Sequence, residues 1–165
     1  MKLVHSTYEL ENVRKILREG LKPSKDSGKS EYDITQNSDV ICFSARDEKE
    51  AEHYMPTVWG IYHFVLNDKW FMENIGQFRE HSEDTEKDTE KEFWDFVKRA
   101  GLQPYEQLSE REKLIGRAYN QILSIQPVPV EGIEELVIPS SEIRFINSGI
   151  PKNMKLRLTR PNEIV

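Results

Sequence analysis

Short apolar runs bounded by polar residues stand at both ends of this chain, and segments of helical periodicity lie between them. That order constrains the fold more than any other feature. Residues 2–5, Val40-Ile41-Cys42-Phe43-Ser44 and residues 59–66 read as strands, because they concentrate β-branched and aromatic residues between polar breaks. Strands over 134–138 and 143–147 follow late in the chain. After the Gly149–Pro151 turn comes the alternating run Met154-Lys155-Leu156-Arg157-Leu158. Strands gathered at the two ends do not alternate with helices as a doubly wound sheet requires, so the expected class is α+β. With no repeat and no clear linker, residues 1–165 read as one domain carrying a helical insertion over about 80–125.

The helical segments follow from spacing. Leu10, Val13, Ile16 and Leu17 form one stripe over 9–19, and Gly20 is placed to close that helix. A short helix is expected over 47–54. Another is expected over 90–100, where Phe93, Phe96, Val97 and Ala100 share a face. Ser109 and Glu112 have capping-box spacing and open a helix that carries Leu114, Ile115, Ala118, Tyr119, Ile122 and Leu123. Pro127 and Pro129 end that region. Residues 24–38 and 77–91 are polar enough to read as loops.

Charge and cysteine usage exclude several classes. The net charge of −6 argues against tight, sequence-independent nucleic-acid binding. Basic residues do cluster at Arg14, Lys15, Arg18, Lys22, Lys25 and Lys29, and again at Lys152, Lys155, Arg157 and Arg160. A solvated surface is the simpler reading of both clusters. The single cysteine, Cys42, cannot make an internal disulfide, and its apolar strand predicts a buried core residue. No run is long and apolar enough for a membrane span or a signal peptide, so a cytoplasmic protein without membrane partners is expected. Metal sites are not expected either. His53 and His63 fall on different elements, and Glu83-Asp84-Thr85-Glu86 lacks calcium-loop spacing.

What remains is an ordered set of short motifs. Leu3-Val4-His5-Ser6-Thr7 places a histidine near the end of the first strand, and a helix closing on Gly20-Leu21 follows. Phe43-Ser44 ends the second strand, with Ala51 and Tyr54 after it, and Glu134-Glu135-Leu136-Val137-Ile138 opens a late strand. This order resembles the ADP-ribosyltransferase superfamily, in the His–Tyr–Glu branch that includes the poly(ADP-ribose) polymerases and DarT-like enzymes. The resemblance touches about half of the chain. It implies a split antiparallel sheet with surrounding helices, NAD as the substrate, and transfer of ADP-ribose to a protein or nucleic-acid acceptor. More faintly, His53 with Trp59-Gly60-Ile61-Tyr62 and Lys69-Trp70 resembles the AbiGi-type abortive-infection proteins, which implies phage–host or toxin–antitoxin conflict.

The resemblance also implies roles. Cleavage of the nicotinamide–ribose bond passes through an oxocarbenium-like transition state, which a nearby carboxylate stabilises. Glu134 matches the family glutamate, with Glu135 as the competitor; strand alternation predicts that only one of them faces the cleft. His5 is matched to a ribose hydroxyl, Ser6 or Thr7 to the carboxamide or a nearby backbone group, and Tyr54 to stacking on nicotinamide. Ser44 joins the cofactor-binding set. Arg46 suits a phosphate of NAD by its guanidinium geometry, with a helix-start surface residue as the simpler reading. The others also have plain readings: His5 a structural histidine, Tyr54 a packing residue, the glutamates solvent-facing, and Trp59, Trp70 and Trp94 core or partly buried anchors. The sequence departs from the pattern at Ser6, where the polymerases have glycine, and at Cys42, where they have tyrosine. A catalytically inactive binding protein on the same fold therefore stands beside the enzyme.

Overall fold

Among the described residues, seven strands hydrogen-bond into one sheet in the order β4-β5-β2-β1-β3-β6-β7. The strands are β1 (Lys2–Thr7), β2 (Ile41–Arg46), β3 (Tyr62–Leu66), β4 (Phe78–Glu80), β5 (Gln121–Ser124), β6 (Ile133–Pro139) and β7 (Lys155–Thr159). Helix α1 (Leu10–Glu19) follows β1, and the short α2 (Asp68–Glu73) follows β3. This computed structural model describes residues 2–23, 40–46, 60–80, 121–124, 126–146 and 149–159. The predicted 24–38 loop, the 47–54 and 90–100 helices and most of the 80–125 insertion lie outside those residues.

The class is α+β, as expected, but the strands form one continuous mixed sheet and not the split antiparallel sheet that the resemblance implies. Every neighbouring pair is antiparallel except β6–β7, which is parallel. A parallel neighbour needs a crossover. The 3₁₀ turn Ser140–Phe145 begins that connection, where the sequence predicts a strand over 143–147.

Alternation divides β1 and β2 into two faces. Leu3, Ile41 and Phe43 join Tyr62, Phe64, Leu66, Leu136 and Ile138 in the main core, which also takes Val13, Ile16 and Leu17 from α1. Val4, Val65 and Val137 form a second buried cluster on the other face. All five residues of β3 are buried, as befits a strand covered on both faces. Cys42 corrects the sequence reading. It is exposed, because Ile41 and Phe43 on either side of it take the core face.

Two further expectations are overturned near the β4 edge. Ile122 and Leu123 continue the helical spacing of the preceding run, yet they lie in β5, paired with Phe43 and Cys42. Phe78, within the stretch read as a loop, is buried and belongs to β4; its ring centroid lies 4.8 Å from Phe71 and 5.9 Å from Phe43. Burial of one aromatic ring decides the local structure against the polarity of its neighbours. Helix α2 is too short to show a period, and its start rests on the Asn67 side chain accepting from the Trp70 amide at 3.0 Å.

Glycine is required at position 60. Its φ is 151°, and a Cβ there would meet the Thr7 backbone at 2.4 Å. Ile61 N–H donates to the Thr7 carbonyl at 3.2 Å, so the close approach joins β1 to the start of β3. Gly60→Ala is expected to cost at least about 1–3 kcal/mol, read as a lowered urea midpoint. An unchanged midpoint would refute this account of the approach.

Candidate active site

His5 lies opposite Phe64 in the β1–β3 ladder, on the core face with Leu3 and Phe43. Its ring meets Phe43 edge-on, with centroids 6.0 Å apart. Nδ1–H donates to the Cys42 carbonyl at 3.0 Å. A carbonyl only accepts, so the neutral ring carries its proton on Nδ1 and presents Nε2 as an acceptor. Burial pushes the imidazole below its ordinary value of 6.5, and the bond to Cys42 partly opposes this.

The sign of the pH effect follows. As pH falls below 6.5, the unfolded chain takes up the His5 proton before the folded one does. This contribution to stability is therefore whole above that pH, shrinks as pH drops below it, and levels once the folded ring protonates too. Between about pH 8 and about pH 5 the wild type is expected to lose more stability than His5→Leu, measured by urea unfolding. Parallel losses would remove the titration of His5 from the account.

Ser6 and Thr7 face opposite ways. Ser6 Oγ and His63 Nδ1 share a hydrogen bond of 2.8 Å, and His63 is buried. Thr7 lies on the His5 face, where Oγ1 accepts from Asn12 Nδ2 at 3.1 Å and from the Glu9 amide at 3.4 Å. Across the ladder from Thr7, Tyr62 donates to Glu142 at 3.1 Å. Burial, with help from that carboxylate, pushes the Tyr62 phenol up to about 12. Ser44 pairs with Val4 and so lies on the Ser6 side of the sheet. Arg46 ends β2 opposite Lys2, where the sequence suggests a helix start. Tyr54 lies outside the described residues.

The two glutamates carry the least expected geometry. Val65 pairs with Glu135 and Leu66 with Ile133, which leaves Glu134 as the extra residue of a β-bulge. Simple alternation therefore fails at this position. Glu134 meets Lys155 at 3.7 Å, and Glu135 meets Arg157 at 2.6 Å. Both carboxylates thus reach cations two residues apart on β7, which share a face. Lys2 lies 3.7 Å from Glu134 and 2.5 Å from Asp68. Burial pushes the Asp68 carboxyl up, and Lys2 opposes that shift.

The structure thus gathers Lys2, Asp68, Glu134 and Lys155 at the start of β1, β6 and β7. His5 stands three residues further along β1, about 10 Å at strand rise, and on the opposite face, because Lys2 shares the side of Val4 and Ser6. Among the described residues no hydrogen bond or ion pair joins His5 to Glu134. Sequence reasoning misses Lys2, Asp68, Lys155, Arg157 and His63 as neighbours of the candidate residues. The charge alternation of β7 against two successive glutamates was the one available signal. Among the described residues no group of three or more His, Cys, Asp or Glu side chains is placed to hold a metal, and no helix is long and apolar enough to cross a membrane.

Solved structures supply a likeness across nearly the whole chain. DarT of Thermus sp. 2.9 in complex with NAD+ is matched at 16% identity, over 99% of this chain and 97% of that one, with a TM-score of 0.51. The same protein in complex with carba-NAD+ is matched at 15% identity, with equal coverage and a TM-score of 0.52. The likeness is one of fold. No family model matches the chain, and no curated protein sequence matches it.

Proposed function

We propose that this chain is an NAD-dependent ADP-ribosyltransferase: it cleaves the nicotinamide–ribose bond of NAD and passes ADP-ribose to a macromolecular acceptor. The observation that carries the reading is the fold shared along the whole length with DarT in complex with NAD+. The motif order from His5 to Glu134 supports it independently, and so does the bulge that singles out Glu134, since bulges re-aim side chains beside active sites. Glu134 stabilises positive charge developing on the ribose and holds one of its hydroxyls. His5 accepts a hydroxyl hydrogen at Nε2 and Thr7 meets the carboxamide end on the core face, Ser6 and Ser44 lie on the face that Lys2 and Glu134 share, and Tyr54 stacks on nicotinamide.

A second reading is favoured by particular observations. His5 is turned to the core face and bonded there, Ser6 is taken up by His63, and Cys42 occupies the place of the family tyrosine. These suit a protein that keeps the fold but not the catalysis, such as an antitoxin, an inhibitor of a defence system, or a nucleotide- or protein-binding module. Calorimetric titration with NAD, together with a nicotinamide-release assay on the purified protein, separates the two. Binding with release supports the transferase. Binding without release, or neither, overturns it in favour of the binding protein.

A further inference from the structure

Two successive carboxylates on β6 are held in different ways, and the difference divides their labour. Glu135 and Arg157 approach to 2.6 Å, and the Glu135 side chain is only 14% exposed. That contact is a charge-assisted hydrogen bond between adjacent strands, a tie that closes β7 onto β6. Glu134 is 27% exposed, and its two cations, Lys2 and Lys155, each stand 3.7 Å away. At that distance the attraction is ionic, without a hydrogen bond that would use up the carboxylate's acceptor positions. The two ammonium groups come from different strands, β1 and β7, and contact different oxygens, Oε2 and Oε1. Lys2 is itself fixed by a 2.5 Å hydrogen bond to Asp68 at the first turn of α2.

We infer that Lys2 and Lys155 are positioning residues, which aim the bulged Glu134 carboxylate by ionic contact from two sides and leave its oxygens able to accept from a substrate hydroxyl. The inference rests on the transferase reading above, which gives Glu134 its task. Asp68 completes the arrangement by holding Lys2 in place, and Glu135 with Arg157 keeps β7, and therefore Lys155, in register.

The test combines steady-state nicotinamide release with lysine side-chain NMR. Lys155→Met is expected to lower kcat by about ten- to a hundredfold, with KM for NAD little changed and the melting temperature preserved. Lys155→Arg should restore most of the loss, because it returns the charge on a similar stem. In the ¹⁵N ammonium spectrum, Glu134→Gln should move the Lys2 and Lys155 signals, whereas Glu135→Gln should leave Lys2 where it was. Wild-type release with an unaffected Lys155→Met overturns the inference and leaves the transferase reading standing. So does a loss of kcat that merely follows a fall in melting temperature and is not rescued by arginine. Ammonium signals that ignore Glu134→Gln overturn it as well. No release by the wild type overturns the transferase reading, and the inference with it.

Discussion

Glu134→Gln is expected to lower nicotinamide release by about 100- to 1,000-fold while the protein stays folded. The substitution keeps the shape of the side chain and removes the charge that the transition state requires. Its structural cost is small, because the contacts of Glu134 with Lys2 and Lys155 are long and partly solvated. Glu135→Gln should behave in the reverse way. Its partner, Arg157, stands 2.6 Å away, and the pair is mostly withdrawn from water. Removing one charge from such a pair leaves the other poorly compensated, at a cost of about 1–3 kcal/mol after allowing for residual solvent. Release should fall little at temperatures where the variant remains folded. Measuring release and urea midpoints for both variants gives a crossed pattern: one loses activity and keeps stability, the other the converse. Equal losses of release in both would show that the bulge does not distinguish them.

The strands and helix that flank the candidate site were legible where a single period governed them. The stripe of Leu10, Val13, Ile16 and Leu17 located α1, and alternation located β7. Where two signals meet, the local one misleads. Ile122 and Leu123 extend a helical spacing, yet pairing with β2 and β4 decides their structure. Alternation argued that Glu134 and Glu135 face opposite ways, and one extra residue in β6 defeats it, because a bulge is a property of two strands and not of either sequence. The Lys2–Asp68 contact joins residues 66 apart, with no local pattern to announce it. Cys42 failed for a simpler reason: a short apolar run does not say which of its members face the core.

Phe64→Ala should produce the largest loss of stability of any single change in the described residues, about 3–5 kcal/mol. Phe64 is fully buried on the interior strand β3, with His5 beside it on β1 and Leu136 on β6. No neighbour can collapse into the gap cheaply, because both flanking strands are held in register by their ladders and α1 packs over the same core. A loss of this size is a large part of the 5–15 kcal/mol that holds a typical domain together, so the variant should unfold at markedly lower urea concentration. Leu158→Ala is the control. That side chain is 44% exposed on β7, and its removal should change stability by no more than about 0.5 kcal/mol. The pair also bears on the site. Phe64 is the residue between the strand that carries His5 and the strand that carries the glutamates, so loosening it should weaken NAD binding before the protein unfolds, whereas Leu158→Ala should not. Retained affinity in a destabilised Phe64→Ala would mean that His5 and the glutamates do not serve one ligand, and would favour the reading in which His5 is structural.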